Sequence, residues 1–217
     1  GEGGAMDTGT SMYVIAAIAG NLWAESNINP GIWEGLRAGT WTDLLKGYGL
    51  GQWTNTDGNT QGRLYQLHEW LSSNGYSDDS MEGQVKYIIN ENYWNTESSI
   101  GSTILYSSMS DFLASTSTDL DYLTKAWMFC WEGINDGTLE TRQQHASVLY
   151  DYLSSHANDT NIEPYVASNS YLSEEQIKNN AIWLYRYFGG TGGGGGNTTI
   201  KRKKLPIWML VRRRNLW

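Results

Sequence analysis

The sequence has a single cysteine, Cys130, and only three histidines among 217 residues. One cysteine excludes an internal disulfide framework and a thiolate metal site. The histidines His68, His145 and His156 lack the short spacings of metal ligands, so a zinc hydrolase is not expected. We therefore predict neither a metal nor another cofactor.

Long apolar runs are also missing. The apolar stretch near the N-terminus has no basic flank and runs directly into Asn21 and Glu25, so it does not resemble a secretory signal. The apolar run at 205–211 is far shorter than the roughly 20 residues that a membrane-spanning helix needs. We expect no signal peptide and no transmembrane segment.

Acidic residues are absent beyond residue 196, and the charge is therefore divided unevenly. Seven of the 15 basic residues lie there: Lys201, Arg202, Lys203, Lys204, Arg212, Arg213 and Arg214. With 23 acidic residues against the other eight basic ones, the rest of the chain has a net charge of −15. This acidic body argues against a nucleic-acid partner, because phosphate contacts require clustered Lys and Arg.

Helical periodicity dominates what is present. Apolar residues recur at helical spacing over about 10–26, and Pro30 ends that helix. Further helices are predicted around 64–71, 85–89, 119–131 and 139–153, the third with Asp119 as its N-cap. The segment 39–60 is rich in Gly, Thr and Trp and carries an Asp57-Gly58 turn signal, which predicts a loop with a short hairpin.

The C-terminal region contains the clearest helix signal. Ser173 and Gln176 form a capping box, an apolar face follows, and Gly189 supplies the stop. We predict a domain at 1–156, a linker at 157–171, this helix at 172–190, and a Gly-rich linker with a basic and apolar tail at 191–217.

Glu25 lies on the flank of the first apolar stripe, near the end of its helix. Desolvation and the negative end of the helix dipole both favour the protonated acid. A glycosidase needs such an acid to protonate its leaving oxygen near neutral pH. A solvated flank position is the alternative interpretation of this residue alone.

Two motifs together resemble the phage tail lysozyme family, a branch of the lysozyme-like superfamily that also holds goose-type lysozymes and lytic transglycosylases. The first is "ESNINP" at 25–30, and the second is "GLGQ" at 49–52. They match the superfamily's Glu-Ser and Gly-Leu-x-Gln signature in order and approximate spacing. The resemblance covers about residues 6–155. It implies a mainly α, lysozyme-like α+β domain with a small glycine-rich hairpin lobe, to which the C-terminal helix and basic tail are added.

The resemblance implies cleavage of the β-1,4 bond between N-acetylmuramic acid and N-acetylglucosamine in peptidoglycan, with Glu25 as the acid. Glycines in the lobe would let a sugar chain approach the backbone. Aromatic rings offer flat apolar faces, although helical spacing assigns Trp127 and Trp131 to the core. The predicted substrate-binding residues are Ser26, Tyr48, Gly49, Gln52, Trp53 and Trp23.

A second catalytic carboxylate is not fixed by the sequence. Two-carboxylate glycosidases place it about 5–5.5 Å or 6.5–9.5 Å from the acid. The candidates by position are Asp43, Asp57 and Glu132. Without a base that activates water, the substrate's own hydroxyl would close a 1,6-anhydro product, so a hydrolase and a lytic transglycosylase both stay open.

Two further alternatives belong to other classes. A cysteine peptidase would use Cys130 with His145, but the position of Cys130 late in an aromatic-rich helix favours a buried, inert thiol. A catalytically inactive structural tail protein or glycan-binding module would keep the same fold. Under the enzyme hypothesis we expect a virion tail or extracellular location, peptidoglycan glycan strands as partner, and a basic tail that contacts other tail subunits or an anionic surface.

The segment "NNAIWLYRYFGG" at 179–190 resembles a helix that family members carry just before the segment leading to the catalytic Glu. Three interpretations of the helix at 173–188 follow. It packs back to complete the domain, begins a truncated second copy, or stands as an independent linker helix.

Overall fold

The computed structural model describes residues 9–96 and 106–188. Within these residues it contains seven α-helices and almost no extended structure, so the prediction of a mainly helical chain is confirmed. The helices are α1 (Met12–Ser26), α2 (Arg63–Ser73), α3 (Met81–Glu91), α4 (Met109–Leu113), α5 (Leu120–Trp127), α6 (Leu139–His156) and α7 (Glu174–Tyr187). The predicted stop at Gly189 and the whole of 191–217 lie outside the described residues.

Helix α1 is the centre of the molecule. It begins at the N-cap Ser11, whose hydroxyl accepts a hydrogen bond from Val14 N at 3.3 Å, and its apolar residues are buried against α5, α6 and α7. Helix α6 approaches so closely that a Cβ at Gly20 would lie 2.6 Å from the backbone N of Ala146. The close approach brings side chains of α6 to the C-terminal end of α1.

Helix α5 continues into a π-helical turn at Met128–Glu132. The predicted N-cap is confirmed, because the Asp119 carboxylate accepts from Tyr122 N at 2.9 Å. The turn ends at Gly133, whose φ of +73° is the left-handed conformation that glycine adopts easily. Trp127 and Trp131 are fully buried, as their helical spacing predicted. The turn leaves Glu132 at its end.

The segment 31–62, which we call the lobe, connects α1 to α2. Its backbone pairs through isolated bridges: Trp33 with Tyr48 and Tyr48 with Trp53 antiparallel, and Leu44 with Asn55 parallel. The buried Asn55 amide donates to Trp41 O and Asp43 O, both at 2.9 Å, and its oxygen accepts from Tyr65 N at 3.2 Å. Side-chain amides therefore hold much of the lobe together.

Residues 162–172, which we call the strap, run back along the end of α1. The Asn29 Nδ2 donates to Ala167 O and Ser170 O, each at 2.8 Å. Helix α7 then begins with the predicted capping box of Ser173 and Gln176 and packs on α1 and α6. Its buried Asn180 donates to Ile28 O at 2.9 Å. These contacts join the strap and α7 to the start of the lobe.

None of the helices in the described ranges is long and apolar enough to cross a membrane.

Candidate active site

The end of α1 is tied to the "GLGQ" loop at 49–52. The hydroxyl of Ser26 lies 3.0 Å from Leu22 O and 2.9 Å from Leu50 O, and these two carbonyls share its single donor hydrogen. Ser26 is itself buried, so the structure places this predicted substrate contact in a backbone-tying position. Glu25, one residue earlier, is thereby held beside the loop.

The glycines of this loop are required by close packing. Gly49 has a φ of +74°, and a Cβ there would lie 2.5 Å from Gln84 Oε1, the atom that accepts from Leu50 N at 2.8 Å. A Cβ at Gly51 would overlap the ring of Trp131. Gly49, which the sequence predicted as a substrate contact, does not line the cleft described next, whereas Gly51 does.

A polar cleft of ≈ 380 Å³ opens between the lobe and the helices. It is lined by Glu25, Glu34, Gly47, Gly51, Gln52, Thr54, Arg63, Glu132 and Ile134. Three residues proposed from the sequence, Glu25, Gln52 and Glu132, therefore meet in one space. The Nε2 of Gln52 donates to Gly49 O at 2.9 Å, which fixes the side chain against the loop backbone.

The other proposed residues lie elsewhere. The Asp43 carboxylate accepts from Thr40 N at 2.9 Å in an exposed turn, Asp57 lies in another exposed turn, and neither lines the cleft. Trp53 is only 1% exposed and donates its Nε1 hydrogen to Glu91 at 3.3 Å. Trp23 is partly exposed and stacks on His145 with ring centroids 4.2 Å apart. Tyr48 lines a different cavity.

Arg142 of α6 is a site residue that sequence analysis missed. Its side chain is 3% exposed, and its Nη2 donates to Glu25 Oε1. The guanidinium also donates from Nε to Thr138 Oγ1 at 2.8 Å and from Nη1 to Asn21 Oδ1 at 3.2 Å. The Glu25 side chain remains 17% exposed, so the carboxylate contacts a buried cation on one side and the cleft on the other.

Glu132 is the second carboxyl of the cleft. Its Oε1 is buried without a hydrogen-bond partner among the described residues. Burial raises the pKa of Glu132 well above its ordinary value, and the charge of Glu25 raises it further, while Arg142 and Arg63 act in the opposite direction. Burial and the nearby Glu25 charge thus favour the protonated form of Glu132.

Arg63 is bound on the lobe side of the cleft. It donates from Nε and Nη2 to the two oxygens of Glu91 at 2.6 and 3.0 Å, a bidentate pair. Its guanidinium lies 5.4 Å from the centroid of the Trp131 ring. Two guanidiniums, of Arg63 and Arg142, thus face three carboxyls, of Glu25, Glu91 and Glu132. The group is neutral when one of the three is protonated.

The thiol of Cys130 is fully buried, as predicted, and burial raises its pKa to about 11. His145 stacks on Trp23 instead of activating the thiol. A protonated, shielded thiol is a poor nucleophile, which argues against the cysteine-peptidase alternative. Within 9–96 and 106–188, no three His, Cys, Asp or Glu side chains group as metal ligands would.

Comparison with known families supports the resemblance found in the motifs. The sequence model of the phage tail lysozyme family matches residues 5–153, and the chain belongs to this family. The chain is also similar to Morphogenesis protein 1 of Bacillus phage B103, with 37% identity over 81 residues. That alignment covers 37% of this chain and 19% of the relative, so the chain spans a small part of that protein's length.

Proposed function

We propose that this chain is a peptidoglycan glycosidase that cleaves the β-1,4 bond between N-acetylmuramic acid and N-acetylglucosamine. Glu25 donates a proton to the glycosidic oxygen. The observation that carries the proposal is the meeting of Glu25 and Glu132 in one polar cleft. Membership of the phage tail lysozyme family supports the substrate class and a role in a tail-associated lysin that acts on the wall from the virion.

The two carboxyls of the cleft act as a coupled pair that holds one proton. In the free protein the proton is on Glu132, since Arg142 pairs with the carboxylate of Glu25. As the glycan displaces water from the cleft, the proton passes to Glu25, which is the more open of the two, and then to the leaving oxygen. The C1–O bond breaks, and Glu132 is left as a carboxylate.

Glu132 then serves as the base that activates water. Water attacks C1 and returns a proton to the carboxyl pair, which restores the starting state. Asp43 and Asp57 take no part, because they lie outside the cleft. Glu132 favours hydrolysis over the lytic transglycosylase alternative, in which the substrate's own hydroxyl attacks C1.

The proposal includes a lysozyme-like arrangement with the glycine-rich lobe as one wall of the cleft. Gly51 and Gln52 contact the substrate there. Ser26, Gly49 and Trp53 lie behind this surface and stabilise it. The lysozyme-like domain occupies 1–156. Residues 157–171 link it to a helix at 172–190 that packs back, and 191–217 contact other tail subunits or an anionic surface.

The test is digestion of purified peptidoglycan with mass spectrometry of the released muropeptides. We expect the wild type to release fragments with reducing-end muramic acid, and Glu25→Gln to lose about 10²–10⁴-fold in rate. Glu69→Gln, an exposed change on α2, is the matched control and should keep full activity.

The products separate the alternatives. Anhydro-muramic acid in place of the reducing end would establish a lytic transglycosylase. Failure of the folded wild type to release fragments from several wall types would support an inactive structural or glycan-binding protein.

A further inference from the structure

A second cavity, of ≈ 310 Å³, lies on the opposite side of the lobe from the catalytic cleft. We call it the acidic aromatic pocket, and its lining includes Trp33, Trp41, Tyr48, Asp78, Asp79 and Ser168. Trp33 and Tyr48 pair in an extended bridge, and their neighbours Glu34 and Gly47 line the catalytic cleft. Successive residues of extended chain face opposite sides, so one layer of backbone separates the two spaces.

Three aromatic rings form the floor and walls of this pocket. The ring of Tyr48 lies 4.7 Å from that of Trp33 and 5.0 Å from that of Trp41, between centroids. Trp41 is held in place by stacking on His68 at 4.5 Å with the planes 3° apart. Electron-rich faces grouped in this way attract an organic cation.

The charge of the pocket has one sign. Asp78 and Asp79 are its charged lining residues, with no Lys or Arg in the described lining. Asp78 Oδ1 lies 2.8 Å from His68 Nδ1, whereas Asp79 is exposed and its carboxylate has no hydrogen bond to a described residue. Burial and the two carboxylates raise the pKa of Tyr48. The charged lining residues favour a cation over an anion, and one cation is already near, since Lys46 Nζ lies 5.6 Å from the centroid of the Trp33 ring.

The hydroxyl of Tyr48 is a further polar group at this pocket. Tyr48 is only 5% exposed, yet its hydroxyl makes no hydrogen bond to a described residue. The hydroxyls of Tyr185 and Tyr187 are closed off from solvent without a partner, whereas that of Tyr48 is not, so it faces open space. In this pocket the hydroxyl is available to accept a hydrogen bond from a bound N–H group.

The strap contributes Ser168 to the lining of the pocket and is hydrogen-bonded to the start of the lobe. Asn169 N donates to Gly31 O at 3.1 Å, and Trp33 N donates to Asn169 Oδ1 at 3.3 Å. Ser168, which lines the pocket, is therefore fixed in place. The strap lies beyond residue 153, where the family match ends, so the pocket depends on a segment that the match does not include.

We propose that the acidic aromatic pocket binds an organic ammonium group, which on the proposed function is the free side-chain amine of a diamino acid in a peptidoglycan stem peptide. The rings would contact the ammonium and its alkyl chain, and Asp79 would neutralise the charge. Amino sugars that have lost their acetyl group carry the same chemistry and are the alternative source. The pocket would select wall regions with uncrosslinked stems.

Binding of an ammonium group to the pocket is tested by a measurement that does not depend on catalysis. N-acetylcadaverine carries one ammonium group, and N,N′-diacetylcadaverine has the same chain without the charge. We expect the first alone to shift the indole N–H signals of Trp33 and Trp41 in NMR titrations. Trp41→Ala and Asp79→Asn should each weaken binding about tenfold, as loss of about 1.4 kcal/mol gives, and the exposed control Asp159→Asn should not. Equal shifts with the uncharged compound, or none with either, would overturn the proposal.

The source of the amine is tested on peptidoglycan. For the wild type, N-acetylation of the wall amines should raise KM about tenfold and leave kcat unchanged, whereas Asp79→Asn should digest both walls alike. An effect that persists after an amidase has removed the stem peptides would assign the amine to glucosamine and overturn the stem-peptide assignment. If N-acetylation does not change digestion by the wild type, the wall-amine proposal is wrong. Glu25-dependent cleavage, and so the proposed function, would still stand.

Discussion

The two walls of the polar cleft that contains Glu25 and Glu132 are built in different ways. The helical wall comes from α1, α6 and the π-helical turn, and it carries the Glu25–Arg142 ion pair and the Glu132 carboxyl, whose Oε1 has no hydrogen-bond partner among the described residues. The lobe has isolated bridges and depends on amide side chains such as Asn55 and Gln84 for its shape. The helices thus position the charged side chains, and the loops form the surface that would contact a glycan.

Under the proposed function, this division matches what each wall has to do. A proton donor loses effectiveness if its surroundings relax, so its partners must be preorganised. A wall that accommodates a polymer benefits from local adaptability, which short bridges and few strand hydrogen bonds allow. Variants that weaken one wall at a time should show separately how the position of the charged groups and the shape of the lobe affect stability and activity.

Removal of the strap end and α7 should have the largest effect. Deletion of 170–217 exposes buried apolar residues of α1 and leaves Ile28 O without its Asn180 partner. We expect a loss of about 5 kcal/mol or more, because each fully buried large apolar side chain contributes about 1.5–3 kcal/mol. Thermal unfolding measures it. An unchanged melting temperature would mean that α7 is an independent linker helix.

Arg142→Leu should break the helical wall with an effect nearly as large. It leaves the Glu25 carboxylate and the Asn21 side chain without their buried cation. We expect a loss of about 3–5 kcal/mol in denaturant unfolding, as for other broken buried pairs. Arg142→Lys keeps the charge but not the planar fork, and should lose less. Equal stability of Arg142→Leu and wild type would contradict the importance of the pair.

Asn55→Ala should destabilise the lobe and leave the helical wall unchanged. The change removes two donated bonds and one accepted bond and leaves Tyr65 N without its partner. We expect a loss of about 1–3 kcal/mol, with KM raised more than kcat is lowered. Asn59→Ala, in the exposed turn nearby, is the control. A kcat effect larger than the KM effect would mean that the lobe also places the charges.

Among these variants, Glu132→Gln should cause the smallest change in stability, and it is the only one that we expect to stabilise the protein. Because the pKa of Glu132 is raised in the folded chain, the folded chain binds this proton more tightly than the unfolded chain does. Stability is therefore highest below the unfolded value of about 4.3 and falls as pH rises above it. At pH 7 we expect Gln to raise the melting temperature by about 2–8 °C.

That gain should disappear near pH 4, where the wild-type carboxyl is protonated in both states, and activity should fall at every pH. Wild-type activity in Glu132→Gln would contradict its proposed role as base. An equal melting-temperature gain at pH 4 and pH 7 would contradict the buried proton.

Local signals explain what the sequence could predict. The Asp119 cap and the capping box of Ser173 and Gln176 depend on residues three positions apart, and both were predictable. The turn at Gly58 formed as expected, with Asn59 N donating to Thr56 O at 3.0 Å. In the described lobe, however, pairing is limited to single bridges, because it is fixed by buried amides that no local pattern reveals.

Long-range contacts explain what was missed. Arg142 is on the same helical stripe as the buried Ala146, Leu149 and Leu153, and a charged residue in such a stripe requires a partner. This signal was available, although it could not identify Glu25 as that partner. Glu132 was named beside Asp43 and Asp57 but not distinguished from them, because its burial depends on the π-helical turn and on residues of α1 and α6.

The separation of Glu25 and Arg142 along the chain also concerns how the protein is made. The two residues are 117 positions apart, so at ribosomal rates of roughly 5–20 residues per second the carboxylate is synthesised roughly 6–23 s before its cation. During that interval α6 does not yet exist, and Glu25 has no guanidinium to orient it. The nascent chain therefore carries its proposed acid in an unassembled form, and the proposed site is complete only after α6 has been synthesised and docks on α1.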